Sequence, residues 1–127
     1  MTAWTSDELT KIAVADELEL ASRRRDGTLR NPVTIWVVRV GDDLYIRSWR
    51  GHNAAWYRGT QVRHEGRIWA DGVTEDVTFV DVSDDEALNN EIDVAYQSKY
   101  RRYSATYVDP MIARQARATT LKLMPSA

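Results

Sequence analysis

The stretch VTIWVVRVGDDLYIRSWRG (33–51) decides the fold predicted for this chain. Residues 33–40 are β-branched and apolar on both faces apart from Arg39, a pattern typical of a central strand. Residues 41–43 are a turn signal, and residues 44–50 then return to strand-forming side chains. The stretch therefore predicts a β-hairpin whose first arm lies inside a sheet.

Further extended segments lie on both sides of this hairpin. Alternating apolar and polar residues predict strands at 17–22, 63–70, 73–82 and 119–124. Asp26-Gly27 and Asp71-Gly72 are tight-turn signals that join neighbouring arms. Five or six strands, joined mostly by hairpins, are therefore expected to form one curved sheet.

Capping signals predict the helices. Capping boxes at Thr5 and Ser83 start helices that extend to about residue 16 and about residue 103. Asp109-Pro110 reads as an N-cap followed by a first-turn proline and predicts a short helix to residue 118. A loop that includes at most one helical turn covers residues 51–60. Strands with flanking helices predict an α+β barrel in a single domain over residues 1–127.

The composition is that of a globular protein without cysteine chemistry. The chain has 127 residues, of which 43% are hydrophobic and 28% charged. The absence of cysteine excludes disulfides, thiolate zinc sites and cysteine nucleophiles. No apolar run has the length of a membrane span, and the first twenty residues lack a signal-peptide pattern. We therefore expect a cytoplasmic protein.

No catalytic or metal-binding motif is found in the sequence. His52 and His64 are the only histidines, and neither has an acid at helical spacing, so no metal site is predicted. Ser48 lacks the motif of a hydrolase nucleophile. The acids at 84–86 fall in a predicted first helical turn, where the helix dipole explains them. No side chain is therefore assigned a catalytic role.

Phosphate binding is the better hypothesis, because the first half of the chain is rich in arginine. Guanidinium groups bind phosphate oxygens in a bidentate manner, and a serine hydroxyl adds a donor. The candidate ligands are Arg25, Arg30, Arg47, Ser48, Arg50 and Arg58. Strand alternation places Arg47 and Arg50 on opposite faces, so both reach one ligand only at a strand end or a subunit seam. The alternative is that these arginines are solvated or paired on the surface.

The aromatic residues likewise suit either ligand binding or packing within the protein. Trp49, Trp56 and Tyr57 suit stacking on a planar ring, but they would equally bury area in the core or in a dimer interface. Lys99 beside Tyr100 would favour an anion. Interleaved arginines and aromatics also suit single-stranded nucleic acid. Residues 71–93, which contain acids but no Lys or Arg, make nucleic acid the weaker hypothesis.

Two segments carry a family resemblance. RRRDGTLRNPV (23–33) followed by GDDLYIRSWRGHNAAWYR (41–58) resembles the flavin- and deazaflavin-binding split-barrel proteins, above all the deazaflavin-dependent nitroreductases. The matching positions are Arg24, Arg25, Gly27, Arg30, Pro32, Ser48, Gly51, Trp56 and Tyr57. Asp26 replaces the serine of the family's turn, and Gly59 replaces an asparagine that often follows its Trp-Tyr pair. Through the 34–48 hairpin and the AYQSKY helix, the whole chain also resembles an uncharacterised bacterial family of this architecture.

The resemblance implies a six-stranded split β-barrel with flanking helices, usually a homodimer, that binds FMN or a deazaflavin at the subunit seam. The residues assigned to the cofactor on this basis are Arg47, Ser48 and Arg50 for the phosphate, Trp56, Tyr57 and Arg58 for the ring, Arg25 and Arg30 for outer charge, and Lys99 from its helix position. Such a cofactor carries the hydride itself, so no catalytic side chain is required. The implied activity is that of an oxidoreductase on a small molecule. The alternative is a cofactor-free dimeric interaction module on the same fold.

Overall fold

A computed structural model describes residues 3–126, which form seven β-strands and five α-helices. The strands are β1 (Leu18–Ser22), β2 (Val33–Ile35), β3 (Val38–Val40), β4 (Asp43–Ile46), β5 (Glu65–Ala70), β6 (Val73–Asp81) and β7 (Leu121–Pro125). The helices are α1 (Ser6–Val14), α2 (Ala55–Arg63), α3 (Glu86–Lys99), α4 (Ala105–Ile112) and α5 (Arg114–Arg117), and a 3-10 turn (Gly51–Asn53) precedes α2. The α+β class is confirmed. The prediction of six strands is wrong by one.

The extra strand arises because the predicted central strand at 33–40 is two short edge strands. The sheet order is β2-β1-β5-β6-β7-β4-β3, and every neighbouring pair is antiparallel. Strands β2 and β3 thus lie at opposite edges, yet only Trp36 and Val37 separate them. Three steps between Cα atoms cover at most about 11 Å. The sheet must therefore curl until its two edges almost meet.

Side chains of α3 bind the backbone at the break between β2 and β3. The N–H of Val37 donates to the Tyr100 hydroxyl at 3.1 Å, and Lys99 Nζ donates to the carbonyl of Val37 at 2.6 Å. The Tyr100 hydroxyl also donates to the carbonyl of Asp16 at 2.7 Å. Buried backbone groups require such partners. The last residue of α3 and the C-cap that follows it, Tyr100, therefore supply the bonds that a neighbouring strand would otherwise provide.

Two apolar clusters stabilise the fold. The larger one fills the concave side of the sheet and includes Trp4, Leu9, Ile12, Leu18, Leu20, Leu44, Ile46, Ile68, Val77, Phe79, Leu121 and Leu123. Trp4 ties α1 to the last strand by donating from Nε1 to the carbonyl of Leu123 at 2.9 Å. The second cluster lies where α3 and α4 cover strands β3 and β4, and includes Val38, Tyr45, Ile92, Tyr96, Tyr100, Val108 and Met111.

Helix starts follow local capping only in part. The capping box at Thr5 is confirmed. Helix α3 is capped by Asp85 rather than Ser83, because the Asp85 carboxylate accepts the N–H of Leu88 at 3.1 Å. Helix α4 begins after Ser104, with Pro110 inside the helix rather than at its start. Within residues 3–126 no helix combines the length and apolarity of a membrane span.

Candidate functional site

A cavity of about 770 Å³ opens beside the start of α2. Its lining comes from four places: residues 33–36 of β2 and the break, residues 47–50 after β4, residues 54–56 at the start of α2, and one face of α4, together with Glu17. The volume falls within the range of roughly 300–1,000 Å³ that small-molecule sites occupy. Another cavity, lined in part by Trp4, Leu9 and Met124, is smaller, at about 270 Å³.

The walls of this cavity are rich in aromatic side chains. Trp36, Trp49, Trp56 and Tyr107 all contribute to the lining. Trp49 is 59% exposed and Tyr107 is 65% exposed, although side chains of this size are usually covered in a folded chain. The rim therefore presents flat apolar surface on which a planar molecule or another protein surface can pack.

Ser48 supplies an unpaired polar group to the lining. The residue is only 2% exposed, and its Oγ has no hydrogen-bond partner among residues 3–126. Its backbone N–H is bound by Thr119 Oγ1 at 2.8 Å, which fixes the position of the residue. Buried hydroxyls almost always have partners, so this one is an unsatisfied polar group that lies behind the surface of the cavity wall.

The first turn of α2 adds further donors at the same wall. Its N-cap is Ala54, which has no side chain to accept the first N–H groups, and no acid lies in the first turn. Ala54, Ala55 and Trp56 all line the cavity. Unpaired N–H groups and the helix dipole together attract anions. This wall of the cavity therefore suits a phosphate or carboxylate.

Arg47 also lines the cavity, but its side chain is bound within the protein. Nε donates to Thr120 Oγ1 at 2.9 Å, Nη1 to Asp93 Oδ1 at 2.5 Å and to the Met111 carbonyl at 3.0 Å. Nη2 donates to the carbonyl and to the side-chain oxygen of Asn89, at 3.1 and 2.8 Å. All five N–H donors of the guanidinium are thus engaged. Burial lowers the pKa of Arg47, and the hydrogen bond that Arg47 donates to Asp93 opposes that shift.

The structure brings only part of the predicted set to the cavity. Arg47, Ser48, Arg50 and Trp56 line it, whereas Arg25, Arg30, Tyr57, Arg58 and Lys99 do not. Arg50 is exposed, and its guanidinium lies 5.5 Å from the Trp49 ring centre. Tyr57 is 5% exposed and packs in the larger core cluster.

Lys99 binds the break between β2 and β3. Its Nζ lies 5.2 Å from the centre of the Tyr100 ring. Burial lowers the pKa of Lys99 to about 8, which Asp16 partly opposes. Burial also raises the pKa of Tyr100. Their surroundings therefore keep both groups closer to neutral than in water.

Gly59 accounts for one departure from the nitroreductase pattern. A Cβ atom at this position would lie 2.6 Å from Ser22 Oγ and 3.1 Å from Arg30 Nε. The absence of a side chain lets α2 pack directly on β1. The asparagine that often stands here in the nitroreductases would not fit this packing.

Residues 8–123 match the profile of a family described as an uncharacterized protein conserved in bacteria (DUF2255). The chain belongs to the DUF2255 family. The predicted membership of an uncharacterised bacterial family is thus confirmed. No curated protein matches this DUF2255 chain in sequence.

Solved structures are similar to the DUF2255 chain over most of its length. The heme storage protein HutZ from Vibrio cholerae has 14% identity and a TM-score of 0.64, covering 96% of this chain and 90% of that chain. An FAD-binding protein from Mesorhizobium loti has 16% identity and a TM-score of 0.55, with 97% and 89% covered. An FAD and heme binding protein from Mycobacterium smegmatis has 17% identity and a TM-score of 0.51, with 98% and 67% covered. At such identities the likeness shows a shared fold.

Several lining residues of the DUF2255 chain were not predicted. Trp36 falls within the predicted central strand at 33–40, because the break after Ile35 leaves no mark in a run of apolar residues. Tyr107 and Met111 belong to α4, whose approach to the cavity depends on how α3 packs. No local signal in the sequence marks Tyr107, because its exposure is known only from the structure.

Proposed function

We propose that this DUF2255 protein binds a flavin-type nucleotide, FMN or a deazaflavin, in the cavity beside α2. The observation that carries the proposal is the unpaired Ser48 hydroxyl next to the uncapped start of α2, in a cavity walled by tryptophans. The proposal includes a split-barrel homodimer in the cytoplasm that acts as an oxidoreductase on a small molecule. Two structures of shared fold that are named as FAD-binding proteins support it.

In this proposal the phosphate binds at the polar wall. Ser48 Oγ and the N–H groups at the start of α2 donate to its oxygens, and Arg50 supplies the positive charge. Arg47 is left out of the contact because its donors are already engaged. It instead holds the segment after β4 in place, which positions Ser48.

The ring system would lie between the indole groups. Trp36, Trp49 and Trp56 would exclude water from it and offer stacking surface. When bound, a flavin or deazaflavin supplies the hydride chemistry itself. The exposure of Trp49 and Tyr107 at the rim is the reason for proposing that a second copy of the chain covers the cavity. Arg25 and Arg58, which are exposed, would reach only the outer part of a long anionic tail.

Flavin titration tests the proposal. FMN and a deazaflavin are expected to quench the tryptophan fluorescence and to raise the melting temperature. Ser48→Ala and Arg50→Ala should each weaken binding by about tenfold or more, because each removes a charge-assisted bond to the phosphate. Arg101→Ala, which removes an exposed arginine outside the lining, is the matched control and should leave affinity unchanged. Absence of quenching by every flavin, or full affinity in Ser48→Ala, would overturn the proposal.

A second candidate function is a cofactor-free interaction module on the same fold. The observation that favours it is again the exposure of Trp49 and Tyr107, which equally suits contact with another protein surface. Sedimentation of Trp49→Ala separates the two functions. Loss of the dimer in a protein that binds no flavin supports the module, whereas loss of flavin affinity in a protein that binds flavin supports the cofactor site.

A further inference from the structure

Three aromatic rings form a continuous stack between the cavity and the protein surface. The Trp36 and Tyr100 rings lie 3.9 Å apart between centres and are parallel to within 3°. The Tyr103 ring lies 5.3 Å from Trp36 and 6.1 Å from Tyr100. Separations in this range bring the ring edges close to van der Waals contact. The stack does not take part in the phosphate site.

The two ends of the stack face different surroundings. Trp36 lines the cavity, and Tyr103 is 37% exposed. Tyr100 is fully buried, and Trp36 and Tyr103 also lie directly beside each other. The stack thus connects the ligand cavity to solvent through side chains that are the most easily oxidised in a protein without cysteine.

The hydrogen bonds of Tyr100 and Tyr103 differ, and this difference determines which of the two residues holds the radical. The Tyr100 hydroxyl donates to a backbone carbonyl, which cannot accept a proton outright. The Tyr103 hydroxyl lies 3.3 Å from Asp16 Oδ2, a carboxylate that can. Arg102 forms an ion pair with the same carboxylate and lies 4.9 Å from the Tyr103 ring centre. Oxidation of a phenol is strongly favoured when its proton has an acceptor, so Tyr103 is the expected end point.

We propose that Trp36, Tyr100 and Tyr103 conduct a single oxidising equivalent from the cavity to the surface. This inference rests on the proposed function, in that it requires a redox-active group in the cavity. A flavin in the cavity that has been excited by blue light is the one-electron oxidant, and it would take an electron from the Trp36 indole. Tyr103 returns an electron to Trp36 across the stack, and its phenolic proton passes to Asp16, which leaves a neutral tyrosyl radical at the surface. A small-molecule reductant in solution, such as a thiol or ascorbate, then restores Tyr103 with one electron while Asp16 returns the proton.

Such a relay would move the oxidising equivalent from the cavity to the protein surface. An oxidised indole in contact with a bound cofactor would react with it or with the substrate. Transfer to Tyr103 moves the reactive species to a position where solutes can reduce it. The relay residues act through electron transfer and are not required for binding of the phosphate.

The first experiment uses bound FMN and a blue-light flash, followed by transient absorption and electron paramagnetic resonance. The wild type should form a tyrosyl radical. Trp36→Phe should lower its yield by about tenfold or more, because the first donor is lost while an aromatic ring is kept. Tyr103→Phe should remove the tyrosyl signal and leave a tryptophan radical that disappears faster. Tyr45→Phe, which removes the hydroxyl of a buried tyrosine outside both the stack and the cavity lining, should keep the signal.

A second experiment needs no cofactor and separates failure of the relay from failure of the flavin proposal. Azide radicals generated by pulse radiolysis oxidise tryptophans, and the proteins are then followed for conversion of tryptophan radical to tyrosyl radical. A first-order conversion that depends on Trp36 and Tyr103, and that Asp16→Asn slows by about tenfold, supports the relay even where no flavin binds. Conversion that is absent, or unchanged in Trp36→Phe and Tyr103→Phe, overturns the relay even where FMN binds tightly.

Discussion

At the scale of single residues, two arginines three positions apart have opposite surroundings. Arg47 is 1% exposed, and every donor of its guanidinium is bound to α3, α4 or the segment before β7. Arg50 is exposed and contacts the face of Trp49. Strand alternation places the two on opposite faces, and the family resemblance assigns both to one phosphate site. Only the packing of α3, which brings Asn89 and Asp93 to Arg47, distinguishes a structural arginine from one that is open to a ligand.

Substitution of these arginines should therefore affect different properties. Arg47→Ala leaves Asn89 and Asp93 without their buried partner, and should lower the free energy of unfolding by about 3–5 kcal/mol. Arg50→Ala should change it by less than about 0.5 kcal/mol. Urea denaturation of both variants measures the two effects. Equal stability of the two variants would contradict the structural role of Arg47.

Gly59 offers a second test at this scale. Alanine normally stabilises a helix relative to glycine by up to about 1 kcal/mol. Here the added Cβ would lie 2.6 Å from Ser22 Oγ, so Gly59→Ala should instead destabilise the protein by about 1–3 kcal/mol. Val62→Ala, at an exposed position of the same helix, serves as the control and should change stability by less than about 0.5 kcal/mol. A stabilised Gly59→Ala protein would show that α2 does not pack on β1 as described.

At the scale of elements, the break between β2 and β3 depends on α3. Val37 has no strand partner for its backbone, and the side chains of Lys99 and Tyr100 supply the hydrogen bonds instead. The same tyrosine reaches the carbonyl of Asp16, just before β1. The C-terminal end of α3 therefore binds both the break between the two edge strands and the segment just before β1.

Removal of the Tyr100 hydroxyl should measure how much these hydrogen bonds contribute to stability. Tyr100→Phe keeps the ring and its stacking but leaves the N–H of Val37 buried without a partner, which should cost about 1–3 kcal/mol. Tyr103→Phe, which affects an exposed hydroxyl of the same stack, should cost less than about 1 kcal/mol. Thermal unfolding of both variants gives the comparison. Indistinguishable melting temperatures would argue against the bond to Val37.

The lowered pKa of Lys99 predicts a pH dependence of stability. Its pKa is about 8 in the folded chain and 10.5 in the unfolded chain, so the unfolded chain binds more protons between these values. The contribution of Lys99 to the free energy of unfolding therefore rises with pH between these two pKa values. The Lys99→Met protein should lack this rise. The other titrating groups are common to both proteins, so their effects cancel when the stability of the variant is subtracted from that of the wild type. Urea denaturation from about pH 7.5 to about pH 10 measures the difference, and parallel curves for the two proteins would contradict the burial of Lys99.

At the scale of the whole molecule, local features were predictable and long-range ones were not. The capping box at Thr5 and the turns at Asp26-Gly27 and Asp71-Gly72 are read from a few adjacent residues, and the structure has each of them. The split of residues 33–40 depends on Lys99 and Tyr100, more than sixty positions away. Similarly, the position of Ser48 at a strand end makes it a candidate ligand in the sequence. That its hydroxyl is unpaired follows only from the packing of Thr119 and α2 around it.

The position of β7 has a consequence for how the protein forms during synthesis. This strand lies between β6 and β4, and in the described sheet it alone joins β2-β1-β5-β6 to β4-β3. It is also the last of the seven described strands in sequence order. A nascent chain can form its hairpins early, but the two halves of the sheet stay separate until residues 121–125 have left the ribosome. Chaperones that shield exposed strand edges would therefore be most valuable after the first six strands have emerged and before residues 121–125 have done so.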